Sequence, residues 1–235
     1  MVQRIAMWSG PRNLSTALMY SFGARADCAV VDEPFYGAYL SLTGADHPMA
    51  DAVKASMDCD PGAVAAALVG PCDRPVFYQK HMTHHMVEGV PRDWFGEVRH
   101  AFLIRHPARV LASYAAKRAA PTLEDIGFAQ QWEIYQATGG VVVDASDIRA
   151  APERILPLLC EALEIAWDPA MLRWPAGGRP EDGVWAAHWY GGVHRSTGFV
   201  PDDAELPELP KALAAVAAEA MPIYEALAAQ RLRVN

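Results

Sequence analysis

The chain has 235 residues, 52% of them hydrophobic, and carries 20 Lys and Arg against 28 Asp and Glu for a net charge of -8. That length and apolar content suit one large α/β domain with an ample core, and they exclude disorder as the dominant state. The acidic balance argues against a general nucleic-acid or anionic-membrane binder, because affinity for a phosphate backbone needs clustered Lys and Arg.

In chain order, a β-like run at residues 4–8 leads through Ser9-Gly10-Pro11-Arg12-Asn13-Leu14 into Ser15-Thr16-Ala17-Leu18-Met19-Tyr20, the pattern of a strand, a tight loop and a helix. A second run at 29–31 is followed by Asp32-Glu33-Pro34, and Asp60-Pro61 marks a helix start. Runs at 76–79 and 100–104 come next, the latter followed by a helix start at Pro107. Thr122 with Asp125 resembles a capping box and predicts another start, and Gly139-Gly140 closes that helix before a fifth run at 141–144. Pro152 opens a further helix. Residues 175–183 are the richest loop signal, and an alanine-rich helix over 209–231 is expected to be interrupted near Pro222 and to pack on the sheet. Strands alternating with helices predict a mainly parallel sheet covered on both faces, a three-layer α/β/α fold. One domain over 1–235 is expected, with 175–235 as a C-terminal cap packed on the core.

Cys28, Cys59, Cys72 and Cys160 show neither C-x-x-C spacing nor a small-domain framework, which predicts a reducing compartment. The first residues lack a signal-type apolar segment and no run is long enough to span a bilayer, so a soluble cytoplasmic protein is expected.

The loop at 8–16 is an anion cradle. At a helix start the first backbone N–H groups lack intrahelical acceptors and the macrodipole is positive, so a phosphate can take them. Arg12 adds a fixed charge, and Ser15 and Thr16 add hydroxyl donors. The nucleotide-triphosphatase loop G-x-x-x-x-G-K-[ST] is not matched, for the second glycine and the lysine are missing. The pattern therefore predicts a phosphate site without the usual means of splitting a triphosphate. Glu33, at the carboxyl end of the second run, is the first candidate for a general base; the alternative is a turn carboxylate or a partner of Arg12. His81, His85 and Glu88 could share a helix face around a metal, but no fourth ligand is near, and no metal is expected. Trp185, His188, Trp189, Tyr190 and His194 form a cluster that reads either as an adenine or acceptor platform or as core.

Pro-Arg-Asn-Leu-Ser-Thr-Ala-Leu at 11–18 resembles the 5'-phosphate loop P-[KR]-S-G-T-T-x-L of sulfotransferases, whose donor is 3'-phosphoadenosine 5'-phosphosulfate. Residues 101–114 resemble that family's 3'-phosphate motif, with Arg105 and Ser113 on its ligand positions. Phe128, Trp132, residues 141–147 and Pro152 resemble its following helix, strand and E-D-x-x-x-x-P stretch. Two departures stand out. Leu14 occupies a position usually glycine, which predicts a poorer approach of backbone to phosphate. The late Arg-Lys-Gly segment is missing, with residues 194–199, and so Arg195, as the nearest stand-in.

The resemblance implies a P-loop nucleoside triphosphate hydrolase-like fold and sulfuryl transfer from 3'-phosphoadenosine 5'-phosphosulfate to a hydroxyl or amine of a small molecule. Arg12, Asn13, Ser15 and Thr16 would hold the 5' end, and Arg105, Ser113 and Arg195 the 3'-phosphate. Glu33 would be the base, a role that a Glu-Pro segment plays in some members. Gln79-Lys80-His81-Met82 looks like a shortened Lys-Thr-His-Leu segment, which makes His81 the alternative base and Lys80 a contact to the sulfuryl group. The rival readings are an ATP-dependent small-molecule kinase on the same fold and a non-catalytic nucleotide-binding protein.

Overall fold

Side chains alternate across a strand, and that alternation builds the layers. In the computed structural model, which describes residues 2–117, 120–202 and 205–234, five strands form one parallel sheet. They are β1 (Gln3–Ser9), β2 (Cys28–Asp32), β3 (Val76–Met82), β4 (Arg99–Ile104) and β5 (Val141–Asp144), in the order β2-β3-β1-β4-β5. Helices α1 (Ser15–Gly23), α2 (Tyr36–Thr43), α3 (Ala50–Ser56), α4 (Pro61–Val69) and α5 (Pro107–Ala115) come from the first half. They are followed by α6 (Phe128–Thr138), α7 (Ala145–Ala150), α8 (Pro152–Ala162), α9 (Ala186–Trp189) and α10 (Lys211–Ala228).

Ile5, Met7 and Leu103 pack with Leu18 and Phe22 of α1 and with Ile155 and Leu159 of α8, forming one layer. Ala6, Trp8 and Phe102 face the other, where Val64 and Leu68 of α4, Ile134 of α6 and Leu227 of α10 meet them. Burial on both faces is why the strands read as near-continuous apolar runs. Each such large side chain contributes about 1.5–3 kcal/mol by leaving water. All five expected runs are present, and the α/β class is as the alternation predicts. The strand order turns about β1, so the loops leaving the carboxyl ends of β1, β2, β3 and β4 share one rim, where open α/β sheets bind ligands.

Two local expectations are corrected. Thr122 and Asp125 do make reciprocal bonds, Thr122 N to Asp125 Oδ2 at 2.9 Å and Asp125 N to Thr122 Oγ1 at 3.2 Å, yet α6 begins only at Phe128. The chain first turns through Gly127 at φ 71, packed so tightly that a Cβ there would lie 2.5 Å from Thr83 Oγ1. Nor is the last helix interrupted: α10 runs through Pro222. Its inward residues Ala217, Ala220, Leu227 and Ala228 are buried and hold it against α5 and α6 despite the lost backbone bond. Pro222 is itself exposed, so Pro222→Ala restores that bond without loss of core. A stability gain of about 1–3 kcal/mol by urea unfolding is expected, and a loss would mean that the ring has a packing role. No helix among the described residues is long and apolar enough to cross a membrane.

Candidate functional site

β1 ends in a loop whose backbone bends twice into the left-handed region, at Arg12 (φ 64) and Leu14 (φ 74). Leucine thus adopts the left-handed conformation that glycine would supply. The Leu14 side chain packs against the first core layer, which offsets the roughly 1–2 kcal/mol cost of that conformation. No side chain caps the start of α1, so its first N–H groups point to the rim without an internal partner from a cap. Arg12 Nε donates to Ser113 Oγ at 2.9 Å, and Arg105 Nη1 donates to the Arg12 carbonyl at 3.1 Å. Burial and the nearby Arg105 charge both lower the Arg12 guanidinium from its ordinary value.

The register of β2 on β3 pairs Asp32 with Lys80, both on the α1 side of the sheet. Lys80 Nζ donates to Asp32 Oδ1 at 2.7 Å, Glu33 Oε1 at 2.6 Å and Tyr190 Oη at 2.6 Å, engaging all three ammonium N–H bonds. Tyr190 Oη in turn lies 2.7 Å from Asp32 Oδ2. Glu33 follows the strand at φ 45, with its N–H donated to the Lys80 carbonyl at 2.9 Å and the residue 8% exposed. Burial raises its carboxyl above the ordinary value, Lys80 pulls it back, and Asp32 raises it further. The pair of carboxylates against one ammonium is an arrangement in which Glu33 can take up a proton.

These parts open on one cleft of about 510 Å³. Arg12, Ser15, Thr16, Arg105, Ser113 and Arg149 line it, and so do Glu33, Lys80, Tyr36, His47, His84 and His85. The sequence matches the family described as Sulfotransferase domain over residues 3–231.

The chain belongs to the sulfotransferase family.

It is accordingly a transferase. Two proteins of Arabidopsis thaliana, named branched-chain-amino-acid aminotransferase-like protein 1 and 2, are 40% and 39% identical to it over 201 residues. The match covers 83% of this chain but 36% of each relative, so the chain spans about a third of their length. Among solved structures, a sulfotransferase from Alicyclobacillus acidocaldarius superposes with a TM-score of 0.58 at 12% identity, covering 99% of this chain and 98% of that one. The sulfotransferase domain of the Synechococcus PCC 7002 olefin synthase gives 0.55 at 16% identity, with 100% and 98% covered. At those identities the likeness is one of fold.

Within this sulfotransferase, the sequence-expected residues divide by side-chain direction. Arg12, Ser15, Thr16, Arg105, Ser113, Glu33 and Lys80 meet in the cleft. His81 does not: the strand expected to stop at Gln79 runs on to Met82, so alternation continues and sends His81 to the opposite face. There it stacks on Trp8 at 4.5 Å between rings, and burial with nearby His100 lowers it to about 3. Lys80 does reach the cleft, but its three bonds leave no N–H for a sulfuryl oxygen. Asn13 is fully buried beneath the loop and Arg195 is exposed; neither lines the cleft. His85 is buried between rings, stacked on Tyr36 at 4.7 Å and on Tyr39 at 4.8 Å. Among the described residues no group of three His, Cys, Asp or Glu side chains is arranged to hold a metal ion.

Of the aromatic cluster, Trp185 packs with Leu40 and Val53 in a core, while Trp189 and Tyr190 line the cleft. Sequence reasoning took Tyr190 as a ring and missed its hydroxyl, and it missed Asp32 altogether. Asp32 was findable, because it closes a strand face otherwise made of Cys28 and Val30, a polar end to an apolar row. Arg149 carries no motif that would have marked it.

Proposed function

We propose that this sulfotransferase moves a sulfuryl group from 3'-phosphoadenosine 5'-phosphosulfate to a hydroxyl or amine of a small molecule, in the cytoplasm. The observation that carries the reading is one cleft lined both by the uncapped, arginine-flanked start of α1 and by the buried carboxylate of Glu33. Donor chemistry fits the residues present. Arg12 is desolvated beside Arg105, and an anion relieves that repulsion. The α1 N–H groups, Arg12, Ser15 and Thr16 would hold the 5' end, and Arg105 with Ser113 the 3'-phosphate.

In the transfer, the acceptor oxygen or nitrogen attacks sulfur in line while the bond from sulfur to the 5'-phosphate oxygen breaks. The electron pair stays on that phosphate, where Arg12 and the helix dipole stabilise it. The acceptor proton goes to Glu33, whose other oxygen is fixed by Lys80.

Calorimetry tests the donor. Adenosine 3',5'-bisphosphate should bind more tightly than AMP, by about 1.5–3 kcal/mol for each charge-assisted bond to the extra phosphate. Arg105→Ala should erase the preference. Equal affinities in the parent protein would defeat the 3' assignment, and tight magnesium-dependent ATP binding would make a kinase the better reading.

A further inference from the structure

The arginines at the donor site already hold an anion belonging to the chain. Arg105 Nη2 donates to Asp202 Oδ1 at 2.6 Å, Arg149 Nε lies 3.1 Å from the same oxygen, and Arg109 Nε lies 3.9 Å from Oδ2. Ser146 Oγ donates to Oδ2 at 3.3 Å. The Asp202 side chain is 11% exposed, so this is a sequestered ion pair and not a loose surface contact. Arg105 and Arg149 both line the cleft, together with Gly198, Phe199 and Val200 of the segment that leads to Asp202.

That segment is fastened at two points. Gly198 bridges to Arg173 at its start, and at its end Arg149 Nη2 donates to the Pro201 carbonyl at 3.4 Å beside the Asp202 contacts. Between them Val200 is 62% exposed, an apolar side chain held in water by a strap tied on either side. The far tie is made almost wholly of charge.

We propose that Asp202 is an internal counterion in the 3'-phosphate subsite, with Arg109 and Arg149 as further members of that subsite, and that residues 199–202 open when a 3'-phosphorylated nucleotide displaces the carboxylate. The inference rests on the donor reading above. A phosphate carries up to two charges and three acceptor oxygens against one charge and two oxygens, so it outcompetes the carboxylate for clustered guanidiniums. A nucleotide without the 3'-phosphate has nothing to exchange for Asp202 and leaves the strap shut. In the absence of donor, Asp202 spares partly buried arginines from repelling one another and keeps them aimed at the subsite.

Asp202→Asn keeps size and hydrogen bonding and removes the competing charge. By calorimetry the variant should bind adenosine 3',5'-bisphosphate about tenfold more tightly than the parent, with AMP affinity within about twofold. Unchanged or weaker bisphosphate binding, in a protein whose parent still prefers the bisphosphate, overturns the counterion role and leaves the donor reading standing. If neither protein prefers bisphosphate over AMP, the donor reading fails and the strap mechanism with it. Hydrogen exchange on the unaltered chain gives an independent check. Amides of Phe199, Val200 and Asp202 should exchange faster with the bisphosphate than without it, and AMP should have no such effect. Slower exchange with the bisphosphate would overturn the opening.

Discussion

Glu33→Gln should lower turnover about 100-fold or more while nucleotide affinity changes little, because the amide keeps the size of the side chain and removes its ability to accept a proton. Lys80 can still bond the retained carbonyl oxygen at the position of Oε1, so the local frame survives the change. The pH profile separates a proton acceptor from a merely structural residue. Glu33 works ionised, and burial sets its carboxyl above the ordinary 4.5, so activity should fall as pH drops through that raised value. The variant should lose this acid limb. His81→Asn should be much milder, since its ring lies across the sheet from the cleft against Trp8. Single-turnover rates decide the matter: a dead His81→Asn beside an intact Glu33→Gln would exchange the two roles.

Acidification from pH 7 to pH 5 should cost about 2 kcal/mol of stability through His81 alone. Its ring is fully buried, and burial followed by His100 lowers it from 6.5 to about 3. Between those values the unfolded chain binds the proton and the folded chain does not. Stability therefore rises with pH across that window and is lost as pH falls from 6.5 toward 3. His85 acts in the same direction, pushed well below 6.5 by burial and by His84. Glu33 and Asp144 oppose it, for burial raises both carboxyls and their folded forms hold protons longer than the unfolded chain does. His81→Phe isolates the histidine, since it keeps a ring on Trp8 and cannot titrate. Loss of the 3.2 Å contact to Gln79 Oε1 lowers the baseline at both pH values and cancels in the difference. Urea midpoints at pH 7 and pH 5 should then differ by about 2 kcal/mol less in the variant than in the parent. An equal pH dependence in the two proteins would clear His81 of the effect.

Much of this architecture was legible from local patterns. Apolar runs separated by helix starts at Pro61, Pro107 and Pro152 mark a parallel sheet because strands buried on both faces cannot afford polar interruptions, and proline fits the first helical turn. The loop from Gly10 to Thr16 and Arg105 were placed for a related reason: each directly follows a strand end, and Ser113 is carried on the helix that Pro107 starts, so the chain itself fixes their neighbourhood. Direction and distant partnership were not. One extra turn of the pleat at the end of β3 decides that Lys80 enters the cleft and His81 leaves it, and strand ends are the least certain part of any pattern. Asp202 meets Arg105 across 97 residues, and Tyr190 meets Lys80 across 110. No periodicity encodes such pairs, because they exist only once the sheet has brought the rims of its strands together and the late segments have been laid across them. Sequence alone thus determined the layers and the strand-loop-helix turn at the end of β1. Tertiary structure decided which charges neutralise one another, since Coulomb energy depends on separation in space and not along the chain.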